Sequence, residues 1–270
     1  MNERFEHKKS LGQHFLTSDV VPKWMCDAGA VGAGDVVFEI GPGSGVLTKE
    51  LLARGARVIG LEADPRAIEV LQNQYVEEIA SGALTLIHGD ARQLNLQQLG
   101  LTAGEYKAIA NIPYYLSGQL FRTILDSDCQ PSDLVFLVQK EVAERIARDD
   151  KESLLSLSVK VFGDPTYVRT VSAGHFTPKP AVDSAIIAIH NISTERLSDL
   201  KRTDFFDILH LGFAQKRKQL LGNLSKHYER EHLTHIFSTV GLPTDVRAED
   251  VPLTTWLVLV HELTLHTSPT

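Results

Sequence analysis

From residue 36 onward, two rhythms of apolar and polar positions alternate along the chain. Short apolar runs at 36–40, 57–61, 84–88, 106–110 and 134–138 are rich in Val, Ile and Leu, and most end at Gly, Asn or an acidic residue. Runs of this length and composition predict buried strands. Between them, apolar residues recur three and four apart, which predicts helices over about 44–54, 65–80 and 117–126. A helical stretch follows through 141–146, and 166–171 and 185–190 read as two more strands. Strands alternating with helices argue for an α/β fold built on a doubly wound, mostly parallel sheet. Beyond Ile192 the pattern turns polar and helical, with no strand signal. A boundary at 191–194 therefore divides the chain into a domain of residues 1–192 and a helical domain of residues 193–270. Internal repeats and low-complexity tracts are absent from the sequence.

The first strand runs into Gly41-Pro42-Gly43-Ser44-Gly45, and an amphipathic helix begins directly after it. A strand, a glycine turn and a helix open a nucleotide-binding βαβ unit. The spacing is G-x-G-x-G, unlike the G-x-G-x-x-G of dinucleotide enzymes, and no Gly-Lys-Ser/Thr follows to make a phosphate loop. Glycines without a lysine suit a ligand whose backbone-facing part is an amino acid and carries no pyrophosphate, which favours S-adenosylmethionine. The alternative on this loop alone is a tight structural turn. Glu62 closes the second strand about 20 residues further on, where a carboxylate can accept both ribose hydroxyl protons. The third strand runs into Gly89-Asp90, which sets a carboxylate beside the adenine amine. Either acid alone reads as a solvated loop carboxylate. At successive strand ends, in order after the glycines, the two together outline a cofactor site.

The fourth strand ends in Asn111-Ile112-Pro113-Tyr114. An exocyclic adenine amine is a poor nucleophile because its lone pair is delocalised into the ring, so a catalyst must accept hydrogen bonds from its N–H groups. The Asn111 side-chain oxygen is one acceptor and the Ile112 carbonyl, next to Pro113, a second. Tyr114 supplies a face on which a base can stack. An ordinary strand-end turn is the competing reading, since Asn and Pro are common turn residues.

Jointly, Leu11-Gly12-Gln13-His14-Phe15-Leu16, the 39–45 loop, Gly89-Asp90, the 111–114 turn and the 176–185 run resemble the ribosomal RNA adenine N6-dimethyltransferases. The chain is most similar to the bacterial enzymes that dimethylate two adjacent adenines near the 3′ end of 16S rRNA. Beyond residue 190 the similarity rests on residues 213–220. The resemblance implies a seven-stranded, Rossmann-like class I methyltransferase sheet with a small C-terminal helical domain that contacts rRNA. It implies that His14 and the backbone at Leu16 close over the methionine end of S-adenosylmethionine. Gly41 and Gly43 would form the loop beneath, Glu62 would hold the ribose, Asp90 would meet the adenine, and Asn111 would face both cofactor and target. It implies that Phe176 packs on a flipped adenine opposite Tyr114. One position departs from the pattern: the family usually carries Asn where this chain has His14.

Charge is the discordant feature. RNA-binding surfaces are usually basic, yet 27 Lys and Arg stand against 34 Asp and Glu, a formal net charge of −7. Local basic clusters remain: Lys216-Arg217-Lys218 with Lys226 and His227, and Lys8-Lys9 near the cofactor-closing segment. Each reads equally as a phosphate contact or as a solvated helix face. The longest apolar run, near Trp256, is far short of the roughly 18 residues a membrane span needs. The N-terminus lacks the apolar core of a signal peptide, and Cys26 and Cys129 form no C-x-x-C pair, so a reducing cytoplasm is expected. His261 and His266 are five apart and cannot share a helical face, so no catalytic metal is expected.

The expectation is therefore a cytoplasmic, monomeric enzyme acting on 16S rRNA within an immature small ribosomal subunit, with no membrane partner. Three rivals stand beside it: the large-subunit adenine methylase of the macrolide-resistance type, a ribosome-assembly factor acting by binding, and a transcription factor derived from the same fold.

Overall fold

The computed structural model describes residues 14–265. Lys8 and Lys9, the first three residues of the 11–16 motif, and His266 lie outside the described residues. Two compact units emerge. One runs to Glu144 and resumes over Asp164–Ile192; the other combines Arg145–Gly163 with the chain from Ser193.

The first unit is built on seven strands: β1 (Val36–Ile40), β2 (Arg57–Glu62), β3 (Leu84–His88), β4 (Tyr106–Asn111), β5 (Asp133–Gln139), β6 (Asp164–Val171) and β7 (Ser184–His190). Their order across the sheet is β3-β2-β1-β4-β5-β7-β6. The first five named in that order pair in parallel, and β7 runs antiparallel to both β5 and β6. Residues 134–138 of β5 and 185–189 of β7 are wholly inaccessible to solvent. Burial on both faces explains why these strands read as unbroken apolar runs without alternation. A separate two-residue pairing joins Phe15–Leu16 to Phe176–Thr177.

Helices α1 (Val20–Ala28), α2 (Val46–Ala53), α3 (Pro65–Gln74), α4 (Val76–Ala80) and α5 (Ser117–Leu125) belong to this unit. Where the periodicity predicts one helix over 65–80, the chain makes two. The break falls at Tyr75, which turns inward, is 6% exposed and donates its hydroxyl to the Gly45 carbonyl at 3.0 Å. A tertiary contact to the glycine loop overrides helix continuity there. Asp64 caps α3 by accepting from the Arg66 N–H at 3.0 Å, with Pro65 in the first turn. Helix α2 starts at Val46, two residues later than the pattern suggests, because Gly45 holds φ +78° at its N-cap.

Helix α6 (Lys140–Ala147) spans the division between the units. The second unit contains α7 (Leu154–Lys160), α8 (Arg202–Gly212), α9 (Leu220–Leu224), α10 (Arg230–Thr239) and α11 (Leu253–Leu265). Its inclusion of 145–163 differs from a division at 191–194 alone. Phe162 lies 6.0 Å from Phe206 of α8, and its carbonyl accepts from Ser193 at 2.8 Å, so the largely buried 156–163 end of this segment packs with the later helices. Trp256 stacks on Phe213 at 5.7 Å, and its ring leaves no room for a Cβ at Gly212. No helix among the described residues is long and apolar enough to cross a membrane.

Candidate active site

The order of the parallel strands reverses between β1 and β4, and in sheets of this kind ligands bind beyond the strands' carboxyl ends at that reversal. A cavity of about 370 Å³ opens there. The ends of β1, β2, β3 and β4 bring Gly41, Gly43, Glu62, Asp90, Asn111, Ile112, Pro113 and Tyr114 to its wall, and His14 joins them. Residues scattered over a hundred positions of sequence thus share one cleft.

The loop after β1 is shaped by left-handed glycines, Gly41 at φ +70° and Gly43 at φ +57°. A Cβ on Gly43 would sit 2.8 Å from the Phe15 ring, so a bare backbone is required for the loop to pack there. The Gly43 N–H donates to Glu62 Oε2 at 2.9 Å, and the Asp64 N–H donates to Oε1 at 2.9 Å. Glu62 is only 3% exposed, yet these two bonds use half of a carboxylate's acceptor sites and leave the rest for a ligand.

Asp90 is held differently. The Arg92 guanidinium grips its carboxylate, with Nε 2.8 Å from Oδ2, and the Arg92 N–H caps Oδ1 at 2.9 Å. These hydrogen bonds keep the Asp90 carboxyl below the usual carboxylate range. Arg92 also lines the cavity, a role that sequence reasoning missed. Its position two residues after Asp90 was the signal available for it.

Asn111 Nδ2 donates to the His14 carbonyl at 3.0 Å. A carbonyl can only accept, so the amide orientation is fixed and Oδ1 remains as the acceptor Asn111 offers elsewhere. Tyr114 is anchored through its hydroxyl to Ser184 Oγ at 2.7 Å, and burial pushes that hydroxyl's pKa up.

Phe176 and Leu16 are placed away from this wall. Phe176 is 3% exposed, Leu16 is 6% exposed, they face each other in the two-residue strand pairing, and both belong to the hydrophobic core. The ring beside Tyr114 is instead His14, with centroids 5.5 Å apart and planes inclined by 30°.

Behind the loop lies a second residue that sequence reasoning passed over. Glu39, 1% exposed, accepts from Thr48 Oγ1 at 2.7 Å. Burial, reinforced by the nearby Glu62 charge, pushes its carboxyl up to about 8. Its place inside an apolar strand was the available signal.

In the second unit, Lys216, Arg217 and Lys218 are exposed. Arg217 and Lys218 share an open cavity of about 490 Å³ with Arg247. Asn223 Nδ2 donates to the Gly212 and Gln215 carbonyls and so fixes the turn that carries the basic residues.

Comparison with known proteins agrees with this geometry. The family model described as ribosomal RNA adenine dimethylase matches residues 4–265. The chain is 34% identical over 258 residues to the ribosomal RNA small subunit methyltransferase A of Dehalococcoides mccartyi, covering 94% of this chain and 88% of that protein. It is 34% identical over 253 residues to the protein of the same name from Clostridium botulinum, covering 92% and 91%. A dimethyladenosine transferase from Plasmodium falciparum shares the fold, with TM-score 0.78, 24% identity and coverage of 93% and 98%. A cleft at the reversal of a seven-stranded sheet, matched along nearly the whole chain, has one reading: the chain belongs to the ribosomal RNA adenine dimethylase family.

Proposed function

We propose that the protein transfers methyl groups from S-adenosylmethionine to the N6 amines of two adjacent adenines near the 3′ end of 16S rRNA, within an immature small subunit. The observation that carries this reading is the convergence of Glu62, Asp90 and Asn111 on one cavity. Two free acceptor sites on buried Glu62 fit a ribose diol, and Gly41, with open space where a Cβ would stand, fits close approach of an amino acid. The cofactor would be held by these groups with Asp90, and when bound it supplies a methyl already activated on a sulfonium.

The chain's own residues do the rest. In the first transfer Asn111 Oδ1 and the Ile112 carbonyl accept the amine's two hydrogens, which aims the nitrogen lone pair and stabilises the positive charge that develops on it; the N–H proton made acidic by the transfer is lost to solvent, and in the second transfer one of the two acceptors holds the single hydrogen that remains. Tyr114 gives the base, extruded from its stack, a face to lie on. Phe176 supports the 176–180 loop from within the core. On this reading the protein works in the cytoplasm as a monomer, and Lys216, Arg217 and Lys218 of the second unit meet rRNA phosphates. Replacing Asn111 with Ala should lower methyl transfer on the order of 10²–10³-fold. Cofactor affinity measured by calorimetry should stay within a few-fold. Near-normal turnover in the variant contradicts the assignment.

A further inference from the structure

We propose that a second cavity, beside the cofactor cleft, holds the adenine that neighbours the target, and that the Gln139 side-chain amide reads its edge. This inference rests on the methyl-transfer reading above and adds a second base site to it. The cavity measures about 400 Å³, in the size range of small-molecule sites. Gln139 closes β5 and lines it, with Lys140, Glu141 and Glu144 of α6 and with Val182 and Asp183. Strand register sets its place. Gln139 pairs with Ser184 across the antiparallel β5–β7 ladder, and residues opposed in this way project from one face of the sheet. Ser184 Oγ in turn meets the Tyr114 hydroxyl at 2.7 Å, and Tyr114 lines the cofactor cleft. A single ladder pair therefore separates the Gln139 amide from the anchor of the residue on which the target base lies.

Two observations identify the occupant. First, the Gln139 amide is half-buried and has no hydrogen-bond partner among the described residues. A primary amide presents a donor beside an acceptor, which matches the N7 acceptor and N6 donor on the edge of adenine. Second, the charge of the wall disfavours a phosphate. Three carboxylates stand against one lysine, and Lys140 Nζ is turned toward Glu144, 3.7 Å from Oε1. Carboxylates repel phosphate and the carbonyl oxygens of guanine and uracil, but they accept from an amine. Adenine and cytosine carry that amine, and in RNA with two adjacent adenines the neighbour is adenine. Val182, 46% exposed, gives the base an apolar surface. An RNA strand crosses the cleft in one direction, so only one of the two adenines can be the target while the other fills this cavity. Gln139 therefore serves one adenine of the pair as target and not the other.

The test uses the full-length protein and small-subunit particles lacking N6-dimethyladenine, with tandem mass spectrometry of nuclease fragments locating the methyl groups on each adenine. Gln139→Ala should slow transfer to one adenine roughly 5- to 150-fold, the loss of one bidentate base contact, and leave the other within about threefold. Particles with guanine in place of the second adenine should slow the parent on the first by a similar factor. On those particles Gln139→Ala should add no more than about twofold, since both changes remove the same contact. Cofactor affinity, read by calorimetry without RNA, should match the parent. Equal slowing at both adenines, additive losses on the guanine particles, or weakened cofactor binding would each make Gln139 a support of the cleft and overturn the proposal. So would a variant as active as the parent at both adenines. A parent protein that methylates neither adenine overturns the methyl-transfer reading itself, and this proposal with it.

Discussion

Glu39 sets up a test in which stability, and not activity, reports on a buried carboxyl of β1. The carboxyl is buried at the end of β1 and its pKa is raised from 4.5 to about 8, chiefly by burial. In the unfolded chain the same group ionises near its ordinary value. Between those two pH values the unfolded state loses a proton that the folded state keeps, so Glu39 stabilises the fold fully below about 4.5 and loses that contribution as pH rises toward about 8. At about 1.4 kcal/mol per pH unit, the loss reaches roughly 3 kcal/mol by pH 7 and roughly 4 by pH 8. Glu39→Gln keeps an oxygen for the Thr48 hydroxyl and removes the ionisation. Urea unfolding of both proteins should give free energies within about 1 kcal/mol of each other at pH 5, with the variant more stable by several kcal/mol at pH 8. A difference that is constant across this range, or that grows toward acid, refutes a protonated Glu39 beneath the loop.

Two further outcomes follow from local geometry. Gly43→Ala forces a non-glycine residue to φ +57° and drives a Cβ to 2.8 Å from Phe15; the left-handed backbone alone costs about 1–2 kcal/mol, and displacing the bond to Glu62 should raise the cofactor Kd roughly tenfold or more by calorimetry. Unaltered affinity would mean the loop does not shape the cofactor site. Replacing Lys216, Arg217 and Lys218 together with Ala should reduce the slope of log K against log salt for rRNA binding by about 2 to 3, at about 0.7–0.9 per phosphate contact. A filter-binding titration in which parent and variant share one slope removes these residues from the interface.

Much of the fold was legible because burial writes itself into sequence. The runs that became β5 and β7 are unbroken because both faces are covered. Gly41, Gly43, Glu62, Asp90 and Asn111 could be placed in one cleft because each ends or follows a strand of the parallel set, whose carboxyl ends face the same way. Less legible were features decided by partners distant in sequence. Tyr75 breaks a helix to reach Gly45, 30 residues away. His14 meets Tyr114 only because 15–16 pairs with 176–177, and two-residue strands have no periodicity to read. Phe176 carried an aromatic signal that suits a binding wall as well as a core, and only the sheet register settles it inward. The excursion of 145–163 into the second unit was hidden for the same reason, since an apolar helix does not announce which neighbour will bury it.

The decisive question is which nitrogen receives the methyl group. Small-subunit particles isolated without N6-dimethyladenine, incubated with purified protein and S-adenosylmethionine, can be read by primer extension, because dimethylated adenine blocks the polymerase. Strong stops are expected at two adjacent adenines near the 3′ end of 16S rRNA, absent with Asn111→Ala. Read-through of that site with the parent protein, or stops appearing only when large-subunit RNA is supplied, would contradict the proposed function.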